Sequence, residues 1–204
     1  MTETPRTRLP AEERRASLLE AACGLFSCGS FRGTTTADIA REAGVTEPVL
    51  YRHFASKRDL YLACLDESWR RVQALWGEHL AAEPEPGRWL AAIGRAFVES
   101  EAERPLVAPM WVQALAEANE DDEIARYMRE HMKEVHAYVA AVIRRSQEAG
   151  GIAPERDADA EAWVFIALGL LSMADEVLDG LMHDCWPAIR AGRLAWLAPA
   201  LHDQ

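Results

Sequence analysis

The stretch that most restricts the fold is residues 34–59, TTTADIAREAGVTEPVLYRHFASKRD. Its punctuation allows two short helices with a tight turn between them, then the start of a third. Thr35 or Thr36 can cap the first helix, because a hydroxyl accepts an orphan N–H of the first turn. Asp38 adds negative charge near the positive end of that helix. Ile39, Ala40 and Ala43 repeat at helical spacing on one face, and Ala40 is small where two helices would cross closely. Gly44 follows the last periodic residue, where a left-handed C′ position costs a glycine nothing. Val45 plugs the corner. Thr46 or Glu47 starts the next helix, and Pro48 in its first turn has no N–H to lose while disfavouring helical geometry at Glu47. Leu50 and Phe54 point inward, which leaves Val49, Tyr51, Arg52 and His53 on outer faces. A second helix anchored on one side and polar on the other fits the reading helix of a helix-turn-helix.

Periodicity elsewhere is helical, with no strand signal and no internal repeat. Residues 11–28 carry the apolar stripe Leu18, Leu19, Ala22, Leu25 and Phe26, with Glu12, Glu13, Arg14 and Arg15 opposite. Residues 57–79 read as one long helix through Leu60, Cys64, Trp69, Val72 and Trp76. Pro84, Pro86 and Gly87 break the pattern. Further helices follow over 88–102, over 104–118 with Pro105 and Pro109 in or near its first turn, and from a cap at Asp121 or Asp122 to Ala149. Gly150 and Gly151 end that helix, and two more cover 157–179 and 187–201. The last has Ile189, Leu194, Trp196, Leu197 and Leu201 as its apolar set. The middle of the 157–179 helix is apolar nearly all round, so in water it must be covered on more than one side. The expected architecture is all-α, about nine helices in 204 residues. A mobile arm occupies 1–10, a three-helix helix-turn-helix domain 11–56, and a ligand-binding and dimerisation domain 57–204.

Charge supports that division. The formal net charge is −11, which by itself argues against nucleic acid. Residues 1–65, however, hold 9 Lys and Arg against 8 Asp and Glu, whereas residues 66–204 hold 13 against 25. The first part can approach phosphates and the acidic remainder repels them, which implies a defined docking face. Arg6 and Arg8 in the arm could reach a minor groove, or simply be solvated. Half of the chain is apolar, which excludes disorder. The longest near-apolar stretch, residues 162–174, is too short to span a bilayer. No signal-peptide core follows the first charges. A soluble cytoplasmic protein with no membrane partner is expected.

Enzyme chemistry finds little support. His183, Asp184 and Cys185 are adjacent and share no helix face. His131 and His136 are five apart, wrong for two ligands on one face, so no metal is expected. Cys23, Cys28, Cys64 and Cys185 form neither a CxxC pair nor a zinc spacing and read as reduced thiols. No phosphate loop or nucleotide fingerprint is present, and no cofactor is expected.

The residues Thr36 to Ala43, Gly44-Val45-Thr46, Leu50-Tyr51-Arg52-His53-Phe54 and Ser56-Lys57-Arg58-Asp59-Leu60 resemble the DNA-binding domain of the TetR (tetracycline-repressor-like) family. The match covers about residues 14–65 of the chain. The tyrosine, histidine, phenylalanine and lysine at those mutual spacings carry it. The resemblance implies that Thr36, Thr46, Tyr51, His53 and Lys57 contact the DNA backbone, as hydroxyls and helix N-termini suit phosphate. Positions Glu47, Pro48, Val49 and Arg52 would lie near base edges, with Arg52 the best suited to hold guanine by two bonds. Glu47 departs from the basic or small polar residue common there.

The same resemblance implies a small-molecule pocket in the later helices. All seven Trp lie after the DNA unit, and Phe97, Met110, Trp111, Tyr127 and Phe165 are the candidate ligand contacts, with core packing the plainer reading of each. It also implies a homodimer through the last two helices, with Phe165, Ile166, Gly169, Leu170, Met173, Ile189, Trp196 and Leu197 as candidate contacts. The expected function is a ligand-responsive regulator, a repressor, that binds a near-palindromic double-stranded DNA operator as a dimer and is released by a small apolar or aromatic effector. The alternatives are a helical regulator sensing metal or redox state, and a helical enzyme or carrier with an unused helix-turn-helix.

Overall fold

The computed structural model describes residues 10–99 and 104–199, with side chains except at 97–109 and 177. Arg6, Arg8 and Leu201 lie outside the described residues, as does the Phe97 side chain. Among the described residues the chain is all-helical and has no strand. The helices are α1 (Ala11–Cys28), α2 (Thr36–Glu42), α3 (Glu47–Leu50), α4 (Lys57–Ala82), α5 (Trp89–Glu99), α6 (Arg104–Glu117), α7 (Asp122–Glu148), α8 (Ala158–Val177) and α9 (Trp186–Leu197), with a 3-10 turn at Pro86–Arg88 before α5.

Caps settle several helix starts. Thr35, not Thr36, caps α2, and Asp121 and Asp157 cap α7 and α8 by accepting two backbone N–H groups each. α9 stops at Leu197 rather than 201, and Ala198 takes the extended ψ of 141° that a following proline imposes. α6 runs unbroken through Pro109.

Chain contacts cluster into two compact units, divided between Ser68 and Trp69 inside α4. In the first, Leu18, Ala22 and Phe26 of α1, Ile39 and Ala40 of α2, Leu50, Phe54 and the Leu60, Tyr61, Cys64 and Leu65 face of α4 are buried together. The Tyr61 ring meets Phe26 edge-on at 5.0 Å and Phe31 at 4.9 Å. This aromatic triad, worth about 0.5–1.5 kcal/mol per pair beyond its area, fixes α1 on α4.

In the second unit α7 is the central rod. Ile124, Met128, Val135, Val139, Val142 and Ile143 recur at i, i+3, i+4 spacing and are all buried. α5, α6 and α8 pack against it. The loop after α7 is pinned to the 3-10 turn: the Ser146 hydroxyl donates to Pro86 O at 2.5 Å, and a Cβ on Gly151 would lie 2.2 Å from the Gly87 nitrogen. Gly151 is thus required for close backbone approach. Gly150 supplies the left-handed φ of 75° that turns the chain there.

Gly151→Ala is therefore expected to destabilise the protein by about 1–3 kcal/mol, read as a lower urea midpoint with an unchanged slope. The exposed Gly192→Ala, with nothing near its Cβ position, serves as the control and should not lower it.

Candidate functional site

The α2–α3 turn is closed by backbone geometry. Gly44 has φ 65°, its N–H reaches Arg41 O at 3.1 Å, and the Val45 N–H reaches Ala40 O at 2.8 Å. These two bonds are a Schellman motif, which satisfies carbonyls at the end of α2 and turns the chain into α3. At the start of α2, Thr35 accepts from the Asp38 N–H at 3.1 Å while Asp38 accepts from the Thr35 N–H at 3.4 Å, a capping box. The Thr35 hydroxyl, and after it the Arg41 guanidinium, hold the Asp38 carboxyl below its ordinary value.

Leu50 and Phe54 are buried beneath α3, whereas Tyr51, 49% exposed, and Arg52 face outward. Val49 and His53 are half-buried. Thr46 is the N-cap of α3, but its side chain makes no capping bond. Pro48 is exposed in the first turn. Three of the sequence candidates are bonded to one another. Thr36 Oγ1 lies 2.6 Å from Glu47 Oε1 and 3.2 Å from the Tyr51 hydroxyl. A carboxylate only accepts, so Thr36 donates to Glu47 and Tyr51 donates to Thr36. Lys57 Nζ donates to Thr34 O at 3.2 Å and sits 4.5 Å from the centre of the Phe31 ring, with two N–H groups to spare. This set places hydroxyls, a guanidinium and an ammonium on one compact, firmly packed unit. Sequence reading missed the Thr36–Glu47–Tyr51 link. Glu47 and Tyr51 are four apart and so share a helix face, which was the available signal.

The second unit contains a cavity of about 300 Å³. α4 supplies Trp69, Val72 and Trp76, α5 Leu90 and Arg95, α6 Trp111, α8 Phe165, Ile166, Gly169 and Met173, and α9 Ile189, Arg190, Arg193 and Leu197. Trp111 and Phe165, expected as ligand contacts, are in its wall. Met110 and Tyr127 are not: Met110 is fully buried, and Tyr127 stacks on His131 with ring centres 5.6 Å apart. Seven of the eight residues expected at a dimer contact, all but Trp196, also line this cavity. The wall also includes Trp186, Arg95, Arg190 and Arg193, which periodicity did not single out.

α9 is held mostly by polar clamps. Among its described residues only Leu197 is buried. Asp175 on α8 accepts from Trp186 Nε1 at 2.8 Å and from the Met182 N–H at 2.7 Å. Glu161, nearly four turns earlier on the same face, accepts from Trp196 Nε1 at 2.8 Å and is bonded to the Arg193 guanidinium. Arg156 lies over the Trp196 ring at 3.6 Å. α9 therefore runs antiparallel to α8, fixed at both ends over the cavity. Trp163, Val164, Leu171, Leu178, Leu181, Leu194 and Trp196 remain exposed on and beside these two helices.

No helix among the described residues is long and apolar enough to cross a membrane, and no three described His, Cys, Asp or Glu are grouped to hold a metal.

Two family models match the chain: "Bacterial regulatory proteins, tetR family" over residues 18–64, and "BetI-type transcriptional repressor, C-terminal" over residues 86–191, more than half of its length. It is 50% identical over 58 residues to the transcriptional activator FasR of Mycolicibacterium smegmatis, a match spanning 28% of this chain and 26% of FasR. It is 28% identical over 154 residues to the regulator EthR of the same species, across 73% of this chain and 70% of EthR. A TetR transcriptional regulator from Chloroflexus aurantiacus has a similar structure, with a TM-score of 0.71 at 27% identity over 83% of this chain and 87% of that one. These relatives are regulators rather than enzymes.

Two outcomes follow from the geometry. Thr35→Ala should lose about 1 kcal/mol of stability at neutral pH. Because the folded Asp38 carboxyl sits low, the capping box contributes fully above the ordinary carboxylate value and is lost as pH falls through the lowered one; the deficit of the variant should shrink in acid melts. Glu161→Ala leaves the Arg193 guanidinium and the Trp196 N–H without their acceptor, and should cost about 3 kcal/mol in urea unfolding.

Proposed function

This chain belongs to the TetR family of bacterial regulatory proteins, and from that premise we propose that it is a ligand-responsive transcriptional repressor that binds DNA as a homodimer. The observation that carries the DNA half of the reading is the capped α2–α3 turn, with Tyr51 and Arg52 exposed above buried Leu50 and Phe54. Arg52 reads a base edge, while Thr36, Thr46, Tyr51, His53 and Lys57 hold phosphates and Glu47, Pro48 and Val49 lie against the groove. Contact with phosphate requires the Tyr51 hydroxyl to exchange its bond to Thr36 for one to DNA. The Thr36–Glu47 bond keeps the Glu47 carboxylate engaged, which limits its repulsion of phosphate.

The sign of regulation rests on the match of the C-terminal half to a repressor model. The dimer rests on the exposed stripe Val164 and Leu171 of α8 and Leu178 that caps it, with Leu194 on α9, which is spaced for a helical partner and apolar enough to need one. A protein with these tasks works in the cytoplasm, beside the chromosome. The arm, head and body are taken as 1–10, 11–56 and 57–204, with Leu60, Tyr61, Cys64 and Leu65 at the start of α4 packed in the head's core. The effector occupies the cavity, whose walls include Trp69 and Trp76 of α4. Ligand binding changes operator affinity only by its unequal affinity for two shapes, and tenfold release needs about 1.4 kcal/mol of difference.

A gel-shift titration over a salt series on DNA flanking the gene checks this reading. Affinity should fall with a log–log slope of about −0.9 per phosphate contacted. Tyr51→Ala should weaken every sequence alike, whereas Arg52→Ala should relax preference at one base pair by about 1–3 kcal/mol. Equal losses across all base variants for Arg52→Ala would remove its assigned role, and a strictly monomeric protein would remove the dimer.

A further inference from the structure

The polar side chains of the cavity wall are almost all donors. Arg95, Arg190 and Arg193 line it, together with four indoles and the Ser172 hydroxyl, and among the described residues the wall has no Asp, Glu, Asn, Gln or His. Two of the indole N–H groups have been used: Trp69 Nε1 donates to Glu134 at 2.9 Å and Trp186 Nε1 to Asp175 at 2.8 Å. The other two, Trp76 Nε1 and Trp111 Nε1, are buried and have no hydrogen-bond partner among the described residues. A buried donor left unmet forfeits about 1–3 kcal/mol, so a ligand that brings acceptors has an advantage beyond apolar contact.

Charge points the same way. Arg95 is paired with Glu83 at 3.3 Å, and Arg193 with Glu161. Arg190 has no carboxylate partner among the described residues. The cavity thus carries one uncompensated positive group, in a half of the chain whose net charge is strongly negative. Indole walls by themselves would also suit a cation over a ring face. Such a cation would have to sit beside three guanidiniums with no acidic side chain among the described wall residues to receive it, and like charges that close repel. The volume of about 300 Å³ is at the small end of ligand pockets, enough for one medium-length chain or a small ring system.

We propose that this cavity binds an amphipathic anion, with its apolar body against Trp69, Trp76, Phe165 and Ile166 and its acidic head held by Arg190. This inference rests on the reading of the cavity as the effector site and adds the chemical class of the effector. The head meets a guanidinium that is already exposed on α9, so binding neutralises Arg190 without breaking either existing clamp.

The test is a tryptophan-fluorescence titration of the full chain with decanoate, decanamide and decyltrimethylammonium, each below its micelle-forming concentration. Four of the seven Trp line the cavity and report occupancy. The expected result is decanoate bound at least tenfold tighter than decanamide, which is about 1.4 kcal/mol, with the ammonium weakest. Arg190→Gln should keep the unfolding midpoint of the parent and lose the preference of decanoate over decanamide. Tighter binding of decanamide or of the ammonium overturns the anion and leaves the ligand-responsive reading standing. A preference that survives Arg190→Gln overturns the assignment to Arg190. Saturation by none of the three overturns both readings.

Discussion

Two carboxylates on one face of α8 determine what the second unit can do. Glu161 and Asp175 are both buried, and each receives an indole N–H from α9 or the residue that opens it. A helix with a single buried side chain has little apolar area with which to hold its place. Hydrogen bonds to ionised groups are the stronger kind, and two of them set four turns apart fix both position and direction. What lies between the clamps is left unfilled, and the cavity is that space. A conventional apolar seam between α8 and α9 would have closed it.

The first unit solves the opposite problem. Its core is small, yet α3 must be held rigid while presenting most of its surface. The solution is local: a capping box starts α2, a Schellman motif ends it, and Leu50 and Phe54 anchor the four-residue α3 and the turn after it. Thr36, Glu47 and Tyr51 then brace the outer side of the turn by hydrogen bonds. The groups that brace it are also those assigned to DNA under the proposed function, so binding replaces internal bonds with external ones instead of ordering loose side chains. That lowers the conformational entropy lost on association.

How much of this could be read beforehand depended on the range of the interaction. Gly44, Pro48 and the Leu50–Phe54 pair carry their meaning within a few residues, and the turn, the caps and the inward face were legible from them. The all-round apolarity of α8 was legible too, as a need for several coverings. Which residue took which covering was not. Ala162 is core, Phe165, Ile166, Gly169 and Met173 line the cavity, and Trp163 and Leu171 are exposed; that partition is decided by where α7 and α9 lie, not by period. The dimer candidates, placed on the last two helices by the family resemblance, also line the cavity apart from Trp196, which is exposed. The clamps were invisible for the same reason: a lone Glu or Asp in an apolar helix has no partner until another helix supplies it.

This partition also bears on how the proposed effector and the proposed partner copy would communicate. The cavity residues Phe165, Gly169 and Met173 and the exposed Val164 and Leu171 are interleaved on one helix. A rigid helix cannot shift on one face and stay still on the other. A ligand that moves α8 by a fraction of a turn would displace the outer stripe by the same rotation, and a two-fold partner would mirror it. Coupling by this route needs no contact between ligand and partner. It requires that α8 have two resting positions of similar energy, and the hydrogen-bonded clamps to α9 allow that more readily than a close-packed apolar seam, because they can re-form after a small displacement.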